Sequence, residues 1–262
     1  MARKPSGDRY GQHLYLPTST FQIERGSPEG IFNAMYPWLR SNVVYVEDDF
    51  IEDTISSTRW NLSTDASATG FAWAIAEGGT IQGATGAVDN NYIAINGDAM
   101  WSGDKNCGME CRFKLSAVTS INFEIGFTDA LTDETLPAVT DVDTPATGNG
   151  ATDVAVIHLD TDQTLTTAAF VGDGTTPAAQ KVNLGTWAPT AAVYYTARVQ
   201  LAGDNAFCAI FDANGALIPE TAKSLVTALD GDILVRPHML FGTRVATSRT
   251  VDIDLIRCWQ DR

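Results

Sequence analysis

Residues 46–61, VEDDFIEDTISSTRWN, gather Glu47, Asp48, Asp49, Glu52 and Asp53 ahead of a turn-rich segment that reaches Trp60 and Asn61. Carboxylates at this density suit general acid and base work, and Glu47, Asp49 and Glu52 form an E-x-D-x-x-E spacing. Retaining hydrolysis of a glycosidic bond needs two carboxyl groups about 5–5.5 Å apart, one a nucleophile and the other an acid of raised pKa. The same stretch also fits the opening strand of a β fold with a solvated, acidic edge.

Other chemistry-bearing residues are sparse. His13 lies near the N-terminus, His158 sits inside an apolar strand pattern and His238 follows Pro237 in another. None stands beside a Ser or Cys in a nucleophile motif, so each reads as a structural residue. No phosphate-cradling G-x-x-x-x-G-K-[ST] occurs. In CGMECRFKL the alternation puts Cys107, Met109, Cys111, Phe113 and Leu115 on one face. Reduced core cysteines explain that pattern, and C-x-x-x-C without a second close pair or adjacent His is poor zinc spacing.

Residues 129–153 have no alternation and are longer than a hairpin needs. Asp129, Asp133, Asp141 and Asp143 in this loop are candidates for a structural Ca²⁺, although the EF-hand spacing is absent; a plain solvated loop is the other reading. No further cofactor is expected. Trp73, Trp101 and Trp187 could stack on sugar rings or pack the core.

The elements that must position these residues are strands. A chain of 262 residues with 19% charged residues and 22 Gly can bury a core without disulfides or metal staples. INFEIGFT sets Ile121, Phe123, Ile125 and Phe127 against Asn122, Glu124, Gly126 and Thr128, a half-buried strand. YTARVQL alternates likewise, and AGDN and DANG are turn signals on either side of AFCAIF. Further strands are expected at 92–96, 106–115, 153–159, 233–242 and 249–259. No segment reads as a long amphipathic helix, and regular strands of this kind indicate a two-sheet sandwich.

Residues 1–45 differ. They lack strand periodicity, and Ser27, Pro28 and Pro37 are placed to start and stop one short helix. Residues 1–46 have five Lys/Arg against three acids, whereas the formal charge of the whole chain is −15. A mildly basic arm thus precedes a strongly acidic body, which would repel nucleic acid and anionic membrane. No run is apolar enough to span a bilayer, and the N-terminus lacks the apolar core of a signal peptide. Tyr10, Leu14, Tyr15, Phe21, Phe32, Tyr36 and Trp38 are too apolar for a free tail and need a surface to bury on.

A family resemblance emerges from the order of these segments. DDFIEDTISSTRWN resembles the first strand of concanavalin A-like jelly rolls, and VDIDLIRCWQD resembles their closing strand. Between them, GTWAPTAAVYYTARVQLAGDNAFCAIFDANGALI resembles the laminin-G-type passage of a Trp, a long strand, a tight turn and a strand with a small Asn-Gly turn. The resemblance covers roughly residues 45–262 and puts the opening acids at the domain edge. In the laminarinase-like hydrolases of this fold the catalytic carboxylates sit on a central strand of the concave sheet, for which FEIGFTD is the match. Glu124 is present there, but Gly126 takes the middle position and Asp129 the third, so the resemblance implies no catalytic residue and no enzyme.

EIGFTDALTD, the long Asp/Thr/Gly loop and the terminal WQDR also resemble jelly rolls of tailed-bacteriophage decoration, cement and head-fibre proteins. The expectation is therefore an all-β, two-sheet antiparallel jelly-roll sandwich over 46–262, preceded by an extended N-terminal arm over 1–45. Its implied role is that of a non-enzymatic virion structural protein that decorates or cements a capsid, folded in the host cytoplasm and located on the capsid surface. Arg3, Lys4, Arg9, Tyr10, Leu14, Tyr15, Phe21, Phe32, Tyr36 and Trp38 would anchor it. The expected partners are the major capsid protein or other shell subunits and further copies of the chain, with no nucleic acid and no membrane. The alternative is a lectin-like carbohydrate-binding module of a phage fibre or receptor-binding appendage, whose partner is a glycan.

Overall fold

Strand follows strand because period-two apolar patterns recur between turn residues, as a computed structural model shows for residues 43–51, 55–74, 79–130, 136–141, 146–147, 151–162, 168–172 and 181–262. Within these, Val46–Gln260 forms one compact unit. The strands in chain order are β1 (Val43–Asp48), β2 (Asn61–Thr64), β3 (Gly70–Ala74), β4 (Thr80–Ala84), β5 (Tyr92–Asn96), β6 (Gly108–Leu115), β7 (Ile121–Thr128), β8 (Val139–Asp141) and β9 (Ala146–Thr147). They continue as β10 (Val154–Asp160), β11 (Ala169–Gly172), β12 (Lys181–Asn183), β13 (Tyr194–Ala202), β14 (Asn205–Phe211), β15 (Lys223–Leu225), β16 (Arg236–Thr243) and β17 (Thr250–Asp261). Among the described residues the helical segments are two 3-10 turns, Gly103–Lys105 and Pro219–Thr221. No helix there is long and apolar enough to cross a membrane.

Two large antiparallel sheets result. One follows the path β15, β14, β13, β6, β17, β4, β3; the other runs β12, β11, β10, β7, β16, β5, β2. Their inner faces meet where Phe113 of β6 lies against Phe123 of β7, ring centroids 5.6 Å apart, both fully buried. The strands expected at 92–96, 106–115, 153–159, 233–242 and 249–259 appear as β5, β6, β10, β16 and β17. The expected hairpin between β13 and β14 closes with Ala202 opposite Asn205, and Gly203 supplies the positive φ of 56° that the two-residue turn requires. At DANG the Asp212 carboxylate accepts from the Asn214 and Ala216 amides, 2.9 Å each, which fixes the second turn.

Two expectations are corrected here. The strand over INFEIGFT is not half-buried: every residue of β7 is buried, as is every residue of its neighbours β10 and β16. The 129–153 loop, for its part, is not simply solvated. It contains the short β8 and β9 pair, and its Ala130, Ala138, Val139 and Ala151 join Val154, Val156, Ala169 and Val171 in a buried cluster. Alanine and valine carry too little pattern to stand out in a loop, yet here they cover the outer face of the sheet. The short helix expected around Ser27 to Pro37 and the arm up to residue 42 lie outside the described residues, while residues 43–45 begin β1.

The four cysteines are free thiols, all buried. Burial pushes the thiols of Cys107, Cys111, Cys208 and Cys258 well above the usual range, which suppresses the reactive thiolate. Native protein should therefore leave all four unlabelled by an aromatic disulfide reagent at pH 8, and denatured protein should titrate four. Fast labelling without denaturant would contradict this packing.

Candidate functional site

Glu124 stands at the middle of β7, the fourth strand of its seven-strand sheet. Because Phe123 and Ile125 point into the sandwich, Glu124 points out of it, onto the same face as His158 on β10, directly opposite in register. On the other side Gly126 pairs with His238 of β16, and His238 pairs with Asn96 of β5. Residues 34, 114 and 28 positions away in sequence are thus brought onto one face by strand register alone.

The carboxylate is 0% exposed and has four donors. Oε1 accepts from the Val139 amide at 2.8 Å and from Nδ1 of His158 at 3.0 Å. Oε2 accepts from the Ala138 amide at 2.7 Å and from Nε2 of His238 at 3.1 Å. The far nitrogen of His238, Nδ1, lies 2.7 Å from Oδ1 of Asn96, while Nε2 of His158 has no hydrogen-bond partner. Burial alone would raise the Glu124 pKa, but the hydrogen bonds from His158 and His238 outweigh it and bring the group down to about 2.

A second polar cluster shares this face. The Asp160 carboxylate, opposite Asn122 in register, receives Nδ2 of Asn122 at 2.9 Å and Nε of Arg244 at 3.0 Å, with Nη2 of Arg244 completing a bidentate pair. The Arg244 guanidinium also lies 5.5 Å from the centre of the Tyr92 ring. Both acids on the face are therefore engaged by fixed donors. Gly126, where the hydrolase pattern would put its middle acid, has no room for any side chain: an added Cβ would collide with the Ala155 carbonyl oxygen and lie 2.8 Å from Val156 Cα.

The residues singled out from sequence fare unevenly. Glu47, within β1, and Asp49, on the chain leaving it, are both exposed; Glu52 lies outside the described residues. Asp129 accepts from the Thr152 and Asp153 amides at 2.8 and 3.0 Å and from the Thr152 hydroxyl at 2.5 Å, so it clips the two ends of the long loop together. Asp141 is in β8; Asp133 and Asp143 lie outside the described residues. Among the described residues no group of three or more His, Cys, Asp or Glu is placed to hold a metal. Trp101 and Trp187 are core residues, 2% and 6% exposed, whereas Trp73 is 37% exposed with its indole N–H on the Phe50 carbonyl. Arg3, Lys4, Arg9, Tyr10, Leu14, Tyr15, Phe21, Phe32, Tyr36 and Trp38, like His13, fall outside the described residues.

His158 and His238 were legible only as polar residues inside apolar strands. The roles of Asn96 and of the Ala138 and Val139 amides had no sequence signal, since any residue supplies an amide.

Solved structures place this architecture among known ones. A protein of unknown function from Shewanella oneidensis MR-1 superposes with a TM-score of 0.61 at 13% identity, covering 90% of this chain and 94% of that one. Peanut lectin follows with 0.54 at 13% identity, covering 84% and 97%. Bacillus licheniformis β-glucanase gives 0.52 at 14% identity, covering 83% and 98%. The fold is a concanavalin A-like jelly roll. It is shared by lectins and by glucanases, and identities this low speak for the fold alone. No family model matches the chain, and no curated protein matches it in sequence.

Glu124→Gln should cost about 3–5 kcal/mol in urea unfolding at pH 7, because it places an amide N–H₂ against donors already committed to the carboxylate. Acid acts in the same direction. The folded-state pKa lies below the ordinary glutamate value of 4.5, so the stabilisation is full above about pH 4.5 and is lost as pH falls towards 2. The wild-type unfolding free energy should drop across that window, and the Gln variant should show a shallower drop. Equal slopes would mean that Glu124 does not govern acid sensitivity.

Proposed function

We propose that this chain is a non-catalytic, lectin-type carbohydrate-binding module. The observation that carries the reading is the sealed state of Glu124. A concanavalin A-like frame that serves a glucanase in one relative and a lectin in another keeps here one central acid, saturated by Ala138, Val139, His158 and His238. Hydrolysis needs an open acid and a partnering carboxylate within about 5–5.5 Å. Gly126 leaves no space for the partner, and Asp160 is neutralised by Arg244. What remains useful to the chain is recognition.

Capsid decoration, the role that the sequence resemblance favoured, depends on the arm residues outside the described set, and the lectin and the β-glucanase named above lend it no support. The lectin-type reading therefore leads, and a virion role for the arm remains a separate proposal. Full-length protein on a glycan array should give saturable, structure-selective binding, and the best glycan should raise the melting temperature by mass action. The same protein incubated with β-glucans should release no reducing ends. Turnover abolished by Glu124→Gln would overturn the non-catalytic reading, and an array without a selective hit would overturn the lectin reading.

A further inference from the structure

The chain entering β2 and the loop leaving β5 enclose a cavity of about 100 Å³, and Glu124 is not among its lining residues. Its apolar walls include Trp60, Trp101, Met100 and Pro237, and the exposed Thr58, Arg59 and Asp98 are the polar part of its lining. Trp60 and Trp101 are 2% exposed each. The site is firmly built: the Trp60 indole N–H donates to Oδ2 of Asp48 at 3.1 Å, and Trp101 exchanges backbone hydrogen bonds with Val235 at 3.1 and 2.8 Å. Gly97 brings its backbone close, since an added Cβ would lie 3.0 Å from Cδ of Pro237 and 3.5 Å from the Trp60 ring.

We infer that this cavity takes the acetamido group of a terminal N-acetylated sugar, an assignment that rests on the carbohydrate-binding reading above. Size is the first argument. Sites for whole drug-sized ligands run to about 300–1,000 Å³, so 100 Å³ accommodates one substituent and leaves the sugar ring outside. Chemistry is the second. A methyl group suits walls of indole, thioether and pyrrolidine, and burying it there costs no hydrogen bond.

The rim completes the match. An amide presents one acceptor and one donor. Arg59 has donors beyond the N–H that it gives to the Glu47 carbonyl at 3.1 Å, and the exposed Asp98 carboxylate is an acceptor with no hydrogen-bond or ion-pair partner among the described residues. A carboxylate-bearing substituent would meet Asp98 and a chain of formal charge −15, so a neutral group is favoured.

The test titrates full-length protein with N-acetylglucosamine, N-acetylgalactosamine, glucose, galactose and the fragment N-methylacetamide, following indole N–H signals by NMR. At least one N-acetylated sugar should bind about tenfold or more tightly than its parent, with shifts at Trp60 and Trp101. Met100 is 41% exposed, so Met100→Phe can narrow the cavity without disturbing the fold. That change and Asp98→Ala, which removes the acceptor, should each abolish the preference while leaving the melting transition in place. Parent and N-acetylated sugars binding equally, or a preference that survives both variants, overturns the site while the lectin reading stands. If no glycan binds, that reading fails by itself. N-methylacetamide then decides the cavity: shifts at Trp60 and Trp101 that Met100→Phe removes support it as an acetamide site, and their absence refutes it.

Discussion

A carboxylate with no access to water must find its donors inside the protein, and around Glu124 that requirement organises the sheet. An ionised group in the interior costs several kcal/mol unless each lone pair is met. Here strand register supplies two imidazoles, from β10 and β16, and a folded-back loop supplies two adjacent amides. A one-residue slip of either neighbouring strand would turn its histidine into the sandwich and leave the charge short of a donor. The network therefore specifies register where two continuous apolar strands would specify it weakly, and it ties residues 138–139 down over the sheet.

That tie explains why the outer face is dry. Tyr92, Ala94 and Leu240 cluster on one side of Glu124, and Ala138, Val139 and Ala151 cover Val154, Val156, Ala169 and Val171 on the other. The opposing sheet solves the same problem with a different charge pattern. Glu110 of β6, also fully buried, pairs with Arg198 on β13 at 2.8 Å and with Arg257 on β17, each its register partner. The Arg198 guanidinium lies 5.7 Å from the Trp259 ring as well. Further along the same strands Lys114 pairs with Asp252, 2.7 Å apart, and Arg112 with Asp254, where partial exposure weakens the pairing. Each sheet thus carries one dry carboxylate at its centre, held by cations in one case and by imidazoles and amides in the other.

Strand identity was written locally and was legible: alternation over Ile121 to Thr128 and Tyr195 to Leu201, with Gly203 and Asp212 to Gly215 marking turns. Even the meaning of the opening acids could be read, since a charged run beside Phe50 fits an edge better than a cleft. Burial of the alternate face was not legible, because Asn122, Glu124 and Thr128 look like solvent-facing residues until a partner arrives from elsewhere. Glu124 meets His158 across 34 residues and His238 across 114, and no pattern in either strand encodes the pairing. Backbone amides are the least legible donors of all. The covering loop was misjudged for the same reason: alanines and a single valine gain their role from the surface they happen to cover.

The sealed acid also bears on how one fold separates cleavage from recognition. The acid of a hydrolytic pair must exchange protons with its substrate, so its pKa has to lie near the working pH, and the oxygens of both acid and nucleophile must face an open cleft. Each donor that improves Glu124 as a structural group lowers its pKa and occupies a lone pair, which makes it a weaker base and an inaccessible nucleophile. The two roles exclude each other at one residue. Hydrolytic use of Glu124 would require more than a carboxylate in place of Gly126: the Ala138 and Val139 amides would have to withdraw, and their withdrawal would expose the Glu124 charge and the apolar cluster that the loop protects. At Glu124, stability of the sheet and catalysis are thus opposed.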